Sequence, residues 1–105
     1  MSTVPKVALS AVQLRDRFAE GKYWERLRSG ELQELLQDEA HPAPPRAREP
    51  ICTLSQMIAY LDGEGNKVAL VHQYRRTGGS LGGSGRPDPK CLLADGVLYF
   101  VRSLP

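Results

Sequence analysis

A chain of 105 residues has the length of one domain, and a domain near this size buries about two-thirds of its unfolded surface, enough for a core without disulfide staples. An apolar fraction of 41% and a charged fraction of 25% exclude wholesale disorder, and the net charge of +2, its excess gathered in 71–90, favours an anionic partner, nucleic acid among them, without forming the basic stripe of a dedicated nucleic-acid binder. No apolar run approaches the roughly 18 residues that span a bilayer, and Lys6, Arg15, Asp16, Arg17 and Glu20 lie where a signal peptide carries its apolar stretch, so a soluble, cytoplasmic protein with no membrane contact is expected.

Val4, Val7 and Leu9, interrupted by Pro5, make the first nine residues read as a tether. Ser10 followed by Gln13 is a capping-box pattern, and Val12, Leu14 and Phe18 recur at helical spacing, predicting a helix from about Ala11 to Glu20. Tyr23, Trp24 and Leu27 mark a second helical piece after Gly21, and Leu32, Leu35 and Leu36 a third after Gly30, ending near Glu39. The two glycines are either C-caps or interior positions of longer helices. Trp24 on such a stripe reads as core, and the charges around it, alternating in sign, as a solvated face.

His41 to Pro50, HPAPPRAREP, holds four of the eight prolines and reads as an extended connector that reaches on the order of 30 Å. A proline-rich ligand for a partner module is the alternative. Between Ile51 and Asp62 the pattern fits either a helix capped at Thr53 or a strand. The turn chemistry of Asp62 to Asn66 favours a strand in its later half, paired as a hairpin with the next run. That run, Val68 to Tyr74, is apolar on both faces and suits a central strand, with Val68, Leu70, His72 and Tyr74 sharing one face. Cys52 and Cys91 read as buried reduced thiols, since two distant cysteines form neither a zinc motif nor a disulfide framework; the alternative is a single disulfide between them, which requires their backbones within about 7 Å of each other.

From Arg76 to Asp88 runs a glycine-rich loop about as long as loops become without a function or disorder. Asp88-Pro89 then resembles the start of a short helical turn that docks Leu92 and Leu93, and Val97 to Arg102 a closing strand. The expected fold is α+β: an N-terminal helical layer packed through Phe18, Trp24, Leu32 and Leu36 on a small, about three-stranded antiparallel sheet, with a long Gly-rich loop before the last strand. It is a single domain over 1–105, with a helical part over about 10–40, the connector over 41–50 and the sheet over 51–105. A sheet this small leaves edges that a second copy can close, so a homodimer is compatible with it.

The chemistry concentrates in the loop. Positive charge is balanced over the first 50 residues, whereas 71–90 holds Arg75, Arg76, Arg86 and Lys90 against Asp88 alone. Backbone N–H groups at Gly82 to Arg86, including Ser84 and Gly85, together with Lys90, form a candidate cradle for a phosphate or carboxylate, although the spacing matches neither a P-loop nor a dinucleotide fingerprint. A flexible Gly/Ser excursion explains the same residues. His72 on its strand face, near Arg75, Arg76, Arg86, Asp88 and Lys90, is the one candidate acid–base residue, yet a lone His on an apolar strand face is more often a hydrogen-bonded structural residue. The first expectation is a small binding module that engages a protein partner or anionic ligand through residues 75–90, with no cofactor and no metal. The second is a metal-independent ribonuclease or toxin-like nuclease using His72 with the loop cations, in which nucleic acid is the substrate.

Overall fold

The computed structural model describes residues 4–37 and 41–102. Its elements are β1 (Lys6–Leu9), α1 (Ala11–Glu20), α2 (Tyr23–Arg28), β2 (Gln33–Leu36), β3 (His41–Pro42), a 3-10 turn (Pro45–Ala47), β4 (Leu54–Leu61), β5 (Lys67–Arg75), β6 (Asp88–Ala94) and β7 (Val97–Val101). The seven strands form one mixed sheet in the order β1-β7-β6-β5-β4-β2, with β3 also pairing with β4. Strands β4 to β7 are an antiparallel meander. One of its edges is closed by β1, parallel to β7, and the other by β2 and β3, antiparallel to β4. The chain passes from one edge to the other through the two helices, which cover one face of the sheet.

That covered face is the core. Cross-strand partners Ile58 and Val71, Tyr60 and Ala69, and Ala69 and Leu92 share it, and Leu14, Phe18, Tyr23 and Leu32 pack onto them. The α1 capping box forms as the sequence predicts, the Gln13 N–H donating to Ser10 Oγ at 3.1 Å and the Ser10 N–H to Gln13 Oε1 at 3.0 Å. Arg17 lays its guanidinium 4.1 Å from the centre of the Tyr99 ring, tying α1 to β7. Gly21 ends α1 with an ordinary φ of −78°, so its role is space: a Cβ there would collide with the Tyr23 ring, which stacks on Phe18 at 5.7 Å.

Several expectations are corrected. A three-stranded antiparallel sheet under a helical layer is replaced by a seven-stranded mixed sheet with two short helices. The segment read as a third helix is strand β2, because Gln33 to Leu36 pairs along β4; the expected end near Glu39 lies outside the described residues. Leu32 joins the core from the turn before it, but Leu36 stays 45% exposed. The residues read as a tether supply β1, and the connector supplies β3. Asp88-Pro89 opens a strand rather than a helical turn, since β5 pairs with it at His72 and Val71 and β7 extends the ladder from Cys91 onward, and the glycine-rich loop therefore precedes the last two strands. Cys52 is exposed, in a left-handed conformation at φ 71°, and Cys91 is half-buried; both are free. The strand over the later half of 51–62, its hairpin to β5 and the central position of β5 are as expected. Among the described residues no helix is long and apolar enough to cross a membrane.

Because Leu14 is fully buried where α1 meets the sheet, Leu14→Ala is expected to cost about 2 to 5 kcal/mol in denaturant unfolding. Val12→Ala on the same helix, at a site 62% exposed, is expected to change stability by no more than about 0.5 kcal/mol.

Candidate functional site

The face of the sheet away from the helices carries the polar chemistry. Alternation along β5 sends Val71 and Gln73 to the core side and His72 and Tyr74 to the other, and β4 sets Met57 opposite His72 and Ser55 opposite Tyr74. His72 Nε2 and Ser55 Oγ are hydrogen-bonded at 2.7 Å, and the His72 and Tyr74 rings meet edge to face at 4.7 Å. His72 is thus hydrogen-bonded, as its structural reading requires, but on the face the helices leave uncovered and not on the inner one.

A bulge in β6 brings charge to the same end. Leu70 pairs with Cys91 and Val71 with Pro89, leaving Lys90 as the extra residue, and His72 then faces Asp88. The bulge accommodates Pro89, which has no N–H to give the ladder. Lys90 Nζ donates to Asp88 Oδ2 at 3.0 Å and Arg15 Nε, from α1, to Asp88 Oδ1 at 3.0 Å. Burial opposes ionisation of Asp88, but these two hydrogen bonds and their charges prevail and hold its carboxyl below the usual range. Burial, reinforced by the Lys90 ammonium and opposed by Asp88, holds His72 below the usual imidazole value.

The loop between β5 and β6 is pinned. Arg75 bridges to Leu81, the Gly79 N–H returns to the Arg76 carbonyl at 2.8 Å and the Gly82 N–H to the Tyr74 carbonyl at 2.8 Å. Glu49, from the proline-rich segment, accepts hydrogen bonds from Arg76 Nε at 2.8 Å and the Gly83 N–H at 3.0 Å, and its side chain is only 5% exposed. The bond from Arg76 leads the effects that lower the Glu49 carboxyl's pKa. Gly82 lies so close to this carboxylate that a Cβ there would displace it from its present position.

Between the loop and the proline-rich segment lies an open cleft of about 610 Å³. His72, Tyr74, Ser55 and Met57 line it from the strands. Ser84, Arg86, Asp88 and Lys90 line it from the loop and β6, and His41, Pro42, Pro44 and Arg46 from the proline-rich side. Of the residues singled out in the sequence, His72, Ser84, Arg86, Asp88 and Lys90 are therefore brought together. Arg75 is not: it donates to Gln56 Oε1 at 3.2 Å and reaches Glu34 at 3.7 Å. Arg76 is held by Glu49, and Gly85, at φ +83°, shapes a turn without lining the cleft. Of the N–H groups from Gly82 to Arg86, four are engaged, Gly82 by the Tyr74 carbonyl, Gly83 by Glu49, Gly85 by the Gly82 carbonyl and Arg86 by Ser84 Oγ at 3.4 Å, which leaves a backbone cradle few free donors.

Arg46, His41 and Ser55 were not singled out in the sequence. The one signal for Arg46 and His41 was their place in a proline-rich segment whose backbone is restricted, with His41 on β3 and Arg46 in the 3-10 turn. Among the described residues Arg46 and Arg86 have no carboxylate partner, and no group of three or more His, Cys, Asp or Glu gathers to hold a metal.

Since folding lowers the proton affinity of His72, its neutral form favours the native state above the ordinary value of 6.5, and that contribution is lost as pH falls through the lowered value. Thermal melts between pH 8 and 5 are expected to show wild type losing more stability on acidification than His72→Gln, which keeps a hydrogen-bonding partner for Ser55. Equal slopes would mean that His72 titrates alike in the folded and unfolded chains.

The chain matches no protein-family model, and comparison with curated proteins and with solved structures found no significant match.

Proposed function

We propose that the cleft binds a phosphate-bearing anion, and that the protein is a binding module acting through this site. The observation that carries the reading is the convergence of Arg46, Arg86 and Lys90 on one cleft whose single acidic lining residue, Asp88, is already bonded by Arg15 and Lys90. Guanidinium groups suit this task because their planar fork matches phosphate oxygens bidentately. Half-burial of the floor reduces the screening that weakens such contacts on an open surface.

Metal-independent RNA cleavage is a second reading, favoured by the place of His72 at the cleft with a pKa held low, so that its neutral form is available as a base. In that reaction His72 takes the proton of a ribose 2′-hydroxyl, the 2′-oxygen attacks phosphorus, and the bond to the 5′-oxygen breaks as that oxygen takes a proton from water. The nearby cations stabilise the charge on the phosphoryl oxygens.

Titration with pyrophosphate at low salt tests the first reading. Arg46→Ala with Arg86→Ala is expected to weaken binding at least tenfold with little change in melting temperature, and added salt is expected to shrink the difference. Unaltered affinity would place the anion elsewhere. RNA incubated with the protein and a chelator tests the second: His72→Ala should lower any cleavage rate roughly 100-fold, and no cleavage by wild type would rule it out.

A further inference from the structure

Trp24 reads as a core residue in the sequence, yet the structure leaves it half-buried at the margin of the core, lining a second cavity of about 630 Å³ on the helix side of the loop. Phe18, Ala19, Pro87 and Pro89 give that cavity apolar walls. The two cavities adjoin, because Ser84, Arg86 and Asp88 line both. Arg86 stands at the divide, with its guanidinium 5.3 Å from the centre of the Trp24 ring, while Arg28 lies 5.0 Å from the same ring.

The charges of the two cavities differ in sign. Beside the cationic cleft, the second cavity adds Asp16 and Glu25 to Asp88, against Arg15 and Arg86, so it is the wrong place for a second phosphate. An apolar, aromatic-walled space edged by carboxylates suits instead a flat heteroaromatic ring whose exocyclic N–H groups donate to those carboxylates. We propose that this cavity is a nucleobase subsite and that the ligand of the cleft is therefore a single-stranded nucleic acid, its phosphate held by Arg46, Arg86 and Lys90 and one base stacked on Trp24. The inference rests on the anion-binding reading of the cleft. Arg86 couples the two halves: in the free protein its planar group covers the indole, and in the complex it turns to the phosphate and leaves the indole to the base.

Trp24 is the only tryptophan in the chain, so intrinsic fluorescence reports directly on the subsite. Three probes separate the possibilities: an RNA tetranucleotide, its abasic ribose-phosphate counterpart and pyrophosphate. The RNA is expected to quench Trp24 and to bind about tenfold more tightly than the abasic chain, on the scale usual for loss of one base–aromatic stack. Trp24→Leu should erase that preference while keeping pyrophosphate affinity, and Trp24→Phe should retain most of it, which guards against a variant that merely misfolds. If RNA and abasic chain bind equally and neither quenches, the base subsite is wrong and the anion cleft stands. If none of the three binds, the cleft reading itself fails, and the subsite with it.

Discussion

Everything in this chain depends on keeping one face of the β4–β7 meander from water. Ile58, Tyr60, Ala69, Val71 and Leu92 present that face, and the meander has nothing of its own to cover it. The first half of the chain supplies Leu14, Phe18, Tyr23 and Leu32 from two short helices and the turn after them. At roughly 25 cal/mol per Å² of apolar surface, burial of side chains this large is the dominant favourable term. The six-residue α2 would not persist alone, since isolated helices shorter than about 12 to 15 residues are marginal in water. Helix and sheet therefore stabilise each other, and because β1 and β2 bracket the helices in sequence, the same docking delivers a strand to each edge. The outer strands β1 and β2 are four residues each, shorter than the β7 and β4 they cover, and a short edge offers a second chain little unpaired backbone to template association.

The site inherits its geometry from this arrangement through two junctions. At Asp88, one carboxylate accepts hydrogen bonds from Arg15 on α1 and from Lys90 on the bulge, so the helix that covers the core also orients a cation of the cleft on the far side of the sheet. At Glu49, a carboxylate from the proline-rich segment holds Arg76 and the Gly83 N–H. That contact ties together the two walls of the cleft, which are distant in sequence. A loop rich in glycine would ordinarily lose much entropy on ordering around a ligand. Here the contacts to Glu49 and to the Tyr74 carbonyl order the loop as the chain folds.

The parts of the fold legible in the sequence were those governed by local rules. The α1 capping box, the Asp62 to Asn66 turn and the two-sided apolar run of β5 depend on neighbours within a few residues, and each stands where the pattern predicts. What misled were segments whose structure comes from distant partners. Gln33 to Leu36 has helical spacing, but a strand with an unpaired neighbour at its side gains a ladder that outweighs propensity. Asp88-Pro89 has the residue types of a helix start, and the bulge at Lys90 that makes a proline tolerable in β6 depends on the register with β5, which no local pattern encodes. The Met1 to Leu9 and His41 to Pro50 segments looked like chain without structure for the same reason: β1 and β3 exist only because β7 and β4 offer them edges.

Of the site, the loop side was legible and the proline-rich side was not. Five glycines and a proline brace announced that residues 76–90 did something unusual, but their count suggested mobility where the molecule has a pinned wall. Basic residues in a row suggested a single patch, yet Arg75 and Arg76 are neighbours on a strand end and so diverge: one serves Gln56 and Glu34, the other Glu49. Arg76 thereby holds a wall of the cleft in place, while Arg75 ties β5 to β4 and β2 away from it. Arg46 and Arg86 come from segments 40 residues apart and have no carboxylate partner among the described residues, Arg86 resting instead against the Trp24 ring. Their meeting on one cleft follows from how the proline-rich segment and the loop pack at the same end of the sheet, which no local pattern in the sequence encodes.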